Sequence, residues 1–311
     1  MTKSENGATR IEGIANYMRQ YWHLYLLILP AVVWTVIFCY WPMYGVQIAF
    51  KDFSFGAGIA GSEWVGFEHF QRFFDAPSFY QVLRNTIGIS LYGLIVGFPL
   101  PIILALMLNE LRSRKFKKSV QMITYMPYFI STVAVSGMIL LFLKKDTGVI
   151  NALISAFGGE RTEFIAKPEY FWSITVWSGV WQGLGWASII YIAALSGVNP
   201  ELVEAAKIDG ASRFQKIRYV DIPAIMPTII ILLILDIGTL LSVGAEKVLL
   251  LQNSLNLDTS EVIGTYVYRI GILGAQYDYS AAIGLFNSLV NVILLIIVNA
   301  ASRRISQTSL W

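Results

Sequence analysis

Six stretches of about twenty apolar residues constrain this chain more than any other feature, because that is the length a helix needs to cross the hydrocarbon core of a bilayer. They run over residues 25–44, 86–108, 120–143, 171–195, 224–243 and 280–301. Inside a membrane every backbone N–H and C=O must be satisfied within the protein, which selects helices for segments of this length. The remainder of the composition agrees. Only 14% of the 311 residues are charged and 56% are hydrophobic, against about 25% charged in an ordinary soluble domain. A water-soluble protein of this size would lack the charges to cover itself. That excludes a typical cytosolic enzyme, a disordered chain and a secreted disulfide scaffold. The expected fold class is all-α, a polytopic membrane protein with six transmembrane helices.

The first twenty residues are polar and mixed in charge, and no small-residue cleavage pattern follows. The first apolar stretch is therefore expected to remain as a span rather than leave as a signal peptide. An even number of spans puts both termini on one side. With the N-terminus inside, the inner segments hold Lys3, Arg10, Arg19, Arg112, Arg114, Lys115, Lys117, Lys118, Lys207, Arg213, Lys216, Arg218, Arg303 and Arg304, most of the chain's 23 basic residues. The positive-inside rule then predicts both termini in the cytoplasm. The expected organisation is a cytoplasmic segment 1–23, a six-helix domain 24–301 and a cytoplasmic tail 302–311. Among the outer loops, 51–84 is rich in aromatics and its Asp75-Ala76-Pro77 turn predicts a short interfacial helix. Residues 148–157 predict a small amphipathic helix and 249–274 room for another. The net charge of +3 is too small to suggest nucleic acid. One cysteine, Cys39 in an apolar run, offers no intrachain disulfide or thiolate metal site, and His23 and His69 are far apart in sequence.

One polar segment stands out. Between the fourth and fifth spans, residues 197–223 form an expected inner loop with helical punctuation. Asn199 suits an N-cap and Pro200 the first helical position. A helix over 200–209 is predicted to break at Gly210, which tolerates positive φ. A second helical stretch is predicted to end by Pro223, giving a protruding elbow. Ala205, Ala206 and Ala211 are small enough for close approach by a partner. Glu204 and Asp209 supply charge. So short a helix is marginal in water, so the membrane domain or another protein must support it.

The spacing Glu204-Ala205-Ala206, Gly210, then Val220-x-Ile222-Pro223 resembles the E-A-A…G…I-x-L-P signature of membrane subunits of ABC importers, with Val and Ile replacing the usual Ile and Leu. Asp209-Gly210-Ala211, Phe214 and Pro227 resemble the extended form found in sugar permeases. Tyr40-Trp41-Pro42-Met43-Tyr44-Gly45, Trp64-Val65-Gly66-Phe67, Arg84-Asn85-Thr86, Leu108-Asn109-Glu110, Tyr125-Met126-Pro127-Tyr128-Phe129-Ile130-Ser131 and Thr265-Tyr266-Val267-Tyr268-Arg269 are similar to the LplB-type oligosaccharide branch. The resemblance spans nearly the whole chain. It implies a type I ABC importer transmembrane domain in a bacterial plasma (inner) membrane, taking up oligosaccharides, often plant-derived. The elbow would be the coupling helix, with Glu204, Ala205, Ala206, Asp209, Gly210, Ala211, Phe214 and Pro223 contacting an ATPase. Implied partners are a second homologous permease (a heterodimer), two ABC ATPase subunits, an extracellular solute-binding protein, membrane lipid and the oligosaccharide.

No Gly is followed by Lys, so the chain carries no P-loop. A non-catalytic subunit is expected, with no cofactor of its own and with ATP and Mg bound by the partner ATPases. For the solute path, Trp177, Trp181 and Gln182 on the fourth span suit a sugar, whose C–H faces stack on aromatic rings while its hydroxyls hydrogen-bond, although helix packing and interface anchoring account for the same residues more readily. Asn287 and Asn291 lie on a polar stripe of the sixth span, where they serve equally well as interhelical glue. Asp236 is the one carboxylate well inside a span, a functional position by default, and the alternative is that it pairs with a Ser, a backbone group or the partner permease. Tyr125, Tyr128 and Ser131 are weaker candidates. A permease for a non-sugar solute is the nearest alternative, followed by a secondary transporter, for which a lone Asp236 is thin support.

Overall fold

The computed structural model describes residues 17, 19–306 and 309–310. Lys3, Arg10 and most of the 1–23 segment lie outside the described residues, as do Gln307, Thr308 and Trp311 of the tail. The chain forms two compact units that meet in sequence at Gly66 and Phe67.

The first unit carries the first span. Trp22–Thr35 is α-helical, widens into a π-turn at Val36–Tyr40 and tightens into a 3-10 helix at Trp41–Phe50. The π-turn ends just before Trp41 and Pro42 and contains Phe38, four residues before the proline. Proline has no N–H and its ring clashes with the carbonyl four residues back, and a widened turn relieves that conflict. Beyond the span, strands β1 (Lys51–Asp52) and β2 (Glu63–Trp64) pair antiparallel with Lys51 opposite Trp64. The Lys51 ammonium donates to the Ile59 carbonyl at 2.6 Å and lies over the Trp64 ring.

The second unit supplies the other spans. Three are helices long and apolar enough to cross a membrane: Phe79–Asn109, Arg213–Gly238 and Tyr277–Arg304. The other two occur in bent pairs: Arg114–Phe129 with Thr132–Phe142 at 100°, and Pro168–Ser196, which bends by 77° into the separate elbow helix Pro200–Ile208. Among the described residues, six apolar segments thus correspond to the six expected, with two corrections. The third, expected as one helix over 120–143, is broken at Ile130 and Ser131, which are extended. Pro127 ends the i→i+4 ladder, and Ser131 restarts it by accepting the Ala134 N–H at 3.3 Å. The fifth, expected over 224–243, ends at Gly238 and begins much earlier. The second piece of the loop does not stop at Pro223 but runs on through a π-turn at Ile217–Asp221. That turn precedes Pro223 as the first one precedes Pro42, and for the same steric reason.

The predicted amphipathic helix of 148–157 is observed as Val149–Ala156. The short helix expected in 51–84 is Glu68–Phe74, ending at Asp75. Residues 244–274 hold short pieces beginning with Ala245–Leu251.

Three apolar clusters run through this unit. One centres on Phe73, Val82, Tyr266 and Tyr279, a second on Ile89, Phe171, Val176 and Leu251, and a third on Ala105, Tyr191, Leu195 and Ile225. The fourth span packs tightly on the third at Gly185, where a Cβ would stand 2.1 Å from the Thr124 carbonyl oxygen. Only glycine permits that backbone contact.

Candidate functional site

The elbow is built by local capping and anchored by charge. The Asn199 side chain accepts the Glu201 N–H at 2.9 Å, opening the helix Pro200–Ile208. Gly210 ends it at φ +73°, a backbone region that L side chains rarely adopt. Ser212 and Gln215 then form a reciprocal capping box that starts the next helix. At the root, the Lys216 ammonium pairs with Glu110, at the end of the second span, and sits 3.3 Å from the buried Asp221 carboxylate. This triad ties the base of the elbow to the neighbouring span.

The elbow itself is not buried. Nothing in Pro200–Ile208 is buried, and Leu202, Ile208 and Phe214 are well exposed, Ile208 at 86%. Glu204, Ala205, Asp209 and Gly210 are exposed as well, while Ala206 and Ala211 turn partly inward. The structure therefore brings the predicted elbow residues onto one largely exposed helix-turn-helix, apart from Pro223, which lies within the fifth helix.

A separate cavity of about 450 Å³ lies between the second and fourth spans and the segment that follows the fifth. Its walls are unusual in carrying Gly93 and Gly97 from one helix, and Gly179 and Gly183 from another. A Cβ at Gly93 or Gly183 would meet nothing within 4 Å, so these glycines widen the space rather than bring helices together. The cavity also holds Ser90, Thr175, Asp236 and Lys247. The Ser90 and Thr175 hydroxyls and the Lys247 ammonium are shielded from solvent and have no hydrogen-bond partner. Burial pulls the Lys247 ammonium down to about 8. A second cavity at the break in the third span adjoins the first at Gly179 and Gly183, and Gln182 lines it.

Of the predicted solute-path residues, Asp236 lines the first of these cavities and Gln182 the second. Gln182 also donates to the Ile130 carbonyl at 3.0 Å, satisfying backbone freed by the break. Trp177, Trp181, Asn287 and Asn291 line neither. The Trp177 indole donates to the Tyr92 hydroxyl at 2.9 Å. Asn291 accepts the Leu241 N–H at 3.0 Å and donates to the Ser242 hydroxyl at 3.2 Å, closing the unwound end of the fifth span. The Asn287 amide oxygen is buried without a partner. Of the weaker candidates, Tyr128 stacks face to face on Trp186 at 4.5 Å. Sequence reasoning missed Ser90, Thr175, Lys247 and the glycines. The available signal was G-x-x-x-G at 93–97 and again at 179–183.

The family model of the binding-protein-dependent transport system inner membrane component matches residues 97–307. The chain is 43% identical over 301 residues to Protein LplB of Bacillus subtilis (strain 168), covering 97% of this chain and 94% of that one. It is 42% identical over 289 residues to the polygalacturonan/rhamnogalacturonan transport system permease protein YteP of the same organism, covering 93% and 90%. Among solved structures it resembles a chain of a bacterial alginate ABC transporter in complex with alginate pentasaccharide-bound periplasmic protein. There the TM-score is 0.88 at 41% identity, covering 95% of this chain and 99% of that one.

Proposed function

This chain belongs to the binding-protein-dependent transport system inner membrane components, and from that membership we propose that it is the permease subunit of an ABC importer for oligosaccharides. Two relatives named for polygalacturonan/rhamnogalacturonan and alginate transport support an acidic, uronate-containing solute. The permease works with a second, homologous subunit in a heterodimer, two ATPases that bind ATP and Mg, and an external solute-binding protein. It lies in the bacterial inner membrane with both termini cytoplasmic, the orientation the positive-inside rule favours for its basic residues.

The observation that carries the reading is the exposed, capped and anchored elbow. Leu202, Ile208 and Phe214 give an ATPase cleft an apolar grip, and Glu204 and Asp209 give it charge. A rigid root matters because force applied at the turn must reach the spans. The Lys216–Glu110–Asp221 triad and the unbroken helix Arg213–Gly238 supply that rigidity. ATP-driven closure of the ATPases moves the elbow as a body, and the spans tilt between outward and inward openings. Coupling of this kind needs an element contacted by both sites.

Gly210→Pro forces φ to about −65° where the turn needs a positive value, and Glu204→Lys reverses the charge of the docking face. Both variants should abolish solute uptake by the assembled transporter while the external receptor still binds its solute. Normal uptake by both would overturn the proposal. Uptake that persists without ATPase subunits, driven by an ion gradient, would point to a secondary transporter instead.

A further inference from the structure

The elbow accounts for energy input but leaves the cavity chemistry unused. That cavity combines three features that rarely coincide by packing alone. Its glycines at 93, 97, 179 and 183 leave a broad slot. The Ser90 and Thr175 hydroxyls on facing helices have no partner. The Lys247 ammonium, on the short helix Ala245–Leu251, also has none, and it rests 3.7 Å from where a Cβ of Gly179 would stand.

A buried ammonium without a counter-charge is costly, and proteins keep such groups where a ligand supplies what the fold withholds. Asp236 lines the same cavity but forms no ion pair with Lys247 among the described residues. The cation therefore remains available. The same cavity is lined by the hydroxyls of Ser90 and Thr175, by the Asp236 carboxylate, and by apolar walls from Val176, Val180 and Leu240. This is the chemistry of a site for a sugar ring bearing one negative charge: apolar surface for the C–H face, hydroxyls for hydroxyls, and a point cation for a carboxylate.

We propose that Lys247 is the carboxylate-recognition residue of the solute path, engaging one uronate of an acidic oligosaccharide while Ser90 and Thr175 hydrogen-bond the same ring. The inference rests on the oligosaccharide reading given above and deepens it, by assigning the charge of the solute to one side chain. Part of the discrimination between acidic and neutral sugars then lies inside the membrane subunit, downstream of the receptor. Lysine suits a transit site because its flexible ammonium makes a point-charge contact without the bidentate clamp of arginine.

The experiment uses the complete transporter reconstituted with its receptor, and compares an oligogalacturonide with its methyl-esterified form, in which the carboxylates are neutral. Lys247→Met should lower the maximal uptake rate of the acidic oligosaccharide at least tenfold. The half-saturating concentration, set by the receptor, should stay unchanged. Lys247→Arg should recover most of the rate. With the methyl ester, Lys247→Met and the wild type should transport alike, and ATP hydrolysis stimulated by unliganded receptor should match the wild type in both variants. Equal losses on both substrates, a fall in receptor-stimulated hydrolysis, or reduced recovery of the assembled complex would overturn the proposal. The last two would identify Lys247 as an ion-pair partner of the second permease. An undiminished rate in Lys247→Met would also overturn it. A wild-type complex that takes up neither substrate would overturn the oligosaccharide reading itself, and this inference with it.

Discussion

The two ends of the second unit solve opposite problems with similar residues. At the end formed by 253–265, polar side chains are spent on the fold. Asn85 is fully buried and donates to the Asp258 and Glu261 carbonyls at 2.9 and 3.0 Å. Thr86 accepts the Ile263 N–H, the Trp172 indole donates to the Thr259 carbonyl, and Asn256 reaches Ile165 and Leu251. Buried irregular backbone persists only where side chains satisfy it. At the elbow end, Asn199, Ser212 and Gln215 are also spent on backbone, but only to shape a turn whose apolar side chains stay in the open. The first end is finished within the chain. The second leaves Leu202, Ile208 and Phe214 exposed, where the proposed ATPase contact would cover them. The contrast separates residues that make the protein stable from residues that make it useful.

That contrast can be broken at four points. The largest effect is expected at the root of the elbow. Lys216→Met leaves the buried Asp221 carboxylate without its cation, and breaking a pair of this kind costs about 3–5 kcal/mol. The denaturation midpoint of the purified complex should fall, and transport with it. Asn85→Leu comes next. It strands two buried carbonyls, at a cost of about 3 kcal/mol, and should speed amide exchange in 257–263 while leaving elbow exchange unchanged. Asn199→Ala removes one N-cap bond, worth about 1 kcal/mol. Its signature is faster exchange confined to 200–208, with uptake reduced but measurable. The smallest change in stability belongs to Ile208→Asp, within about 0.5 kcal/mol for so exposed a site, yet uptake and ATPase binding should be lost. If Ile208→Asp instead destabilised the isolated subunit as much as Asn85→Leu, the distinction between the two ends would fail.

Much of this was legible in order along the chain. The span count, the N-cap at Asn199, the break at Gly210 and the small helix Val149–Ala156 all follow from periodicity and punctuation, which act over a few residues. The misjudged boundaries have a common cause. Proline was read as a stop at Pro223, but a π-turn one step earlier lets the helix continue. Pro127 lay inside an apolar run, and the run hid the break that follows it at Ile130. Asn291 and Gln182 had the composition of solute-binding groups. Which backbone group each meets depends on where the third and fifth spans unwind, and no local pattern reports that.

By itself, the sequence determined that the chain crosses a membrane repeatedly, that it presents a short capped helix between two spans, and that this helix turns at a glycine. Those outcomes rest on hydrophobicity and on φ preferences, which belong to single residues and their near neighbours. Tertiary structure alone decided that Ser90, Thr175 and Lys247 share one cavity. The three lie on separate helices, and their convergence depends on how the spans pack across distances that no sequence window encloses.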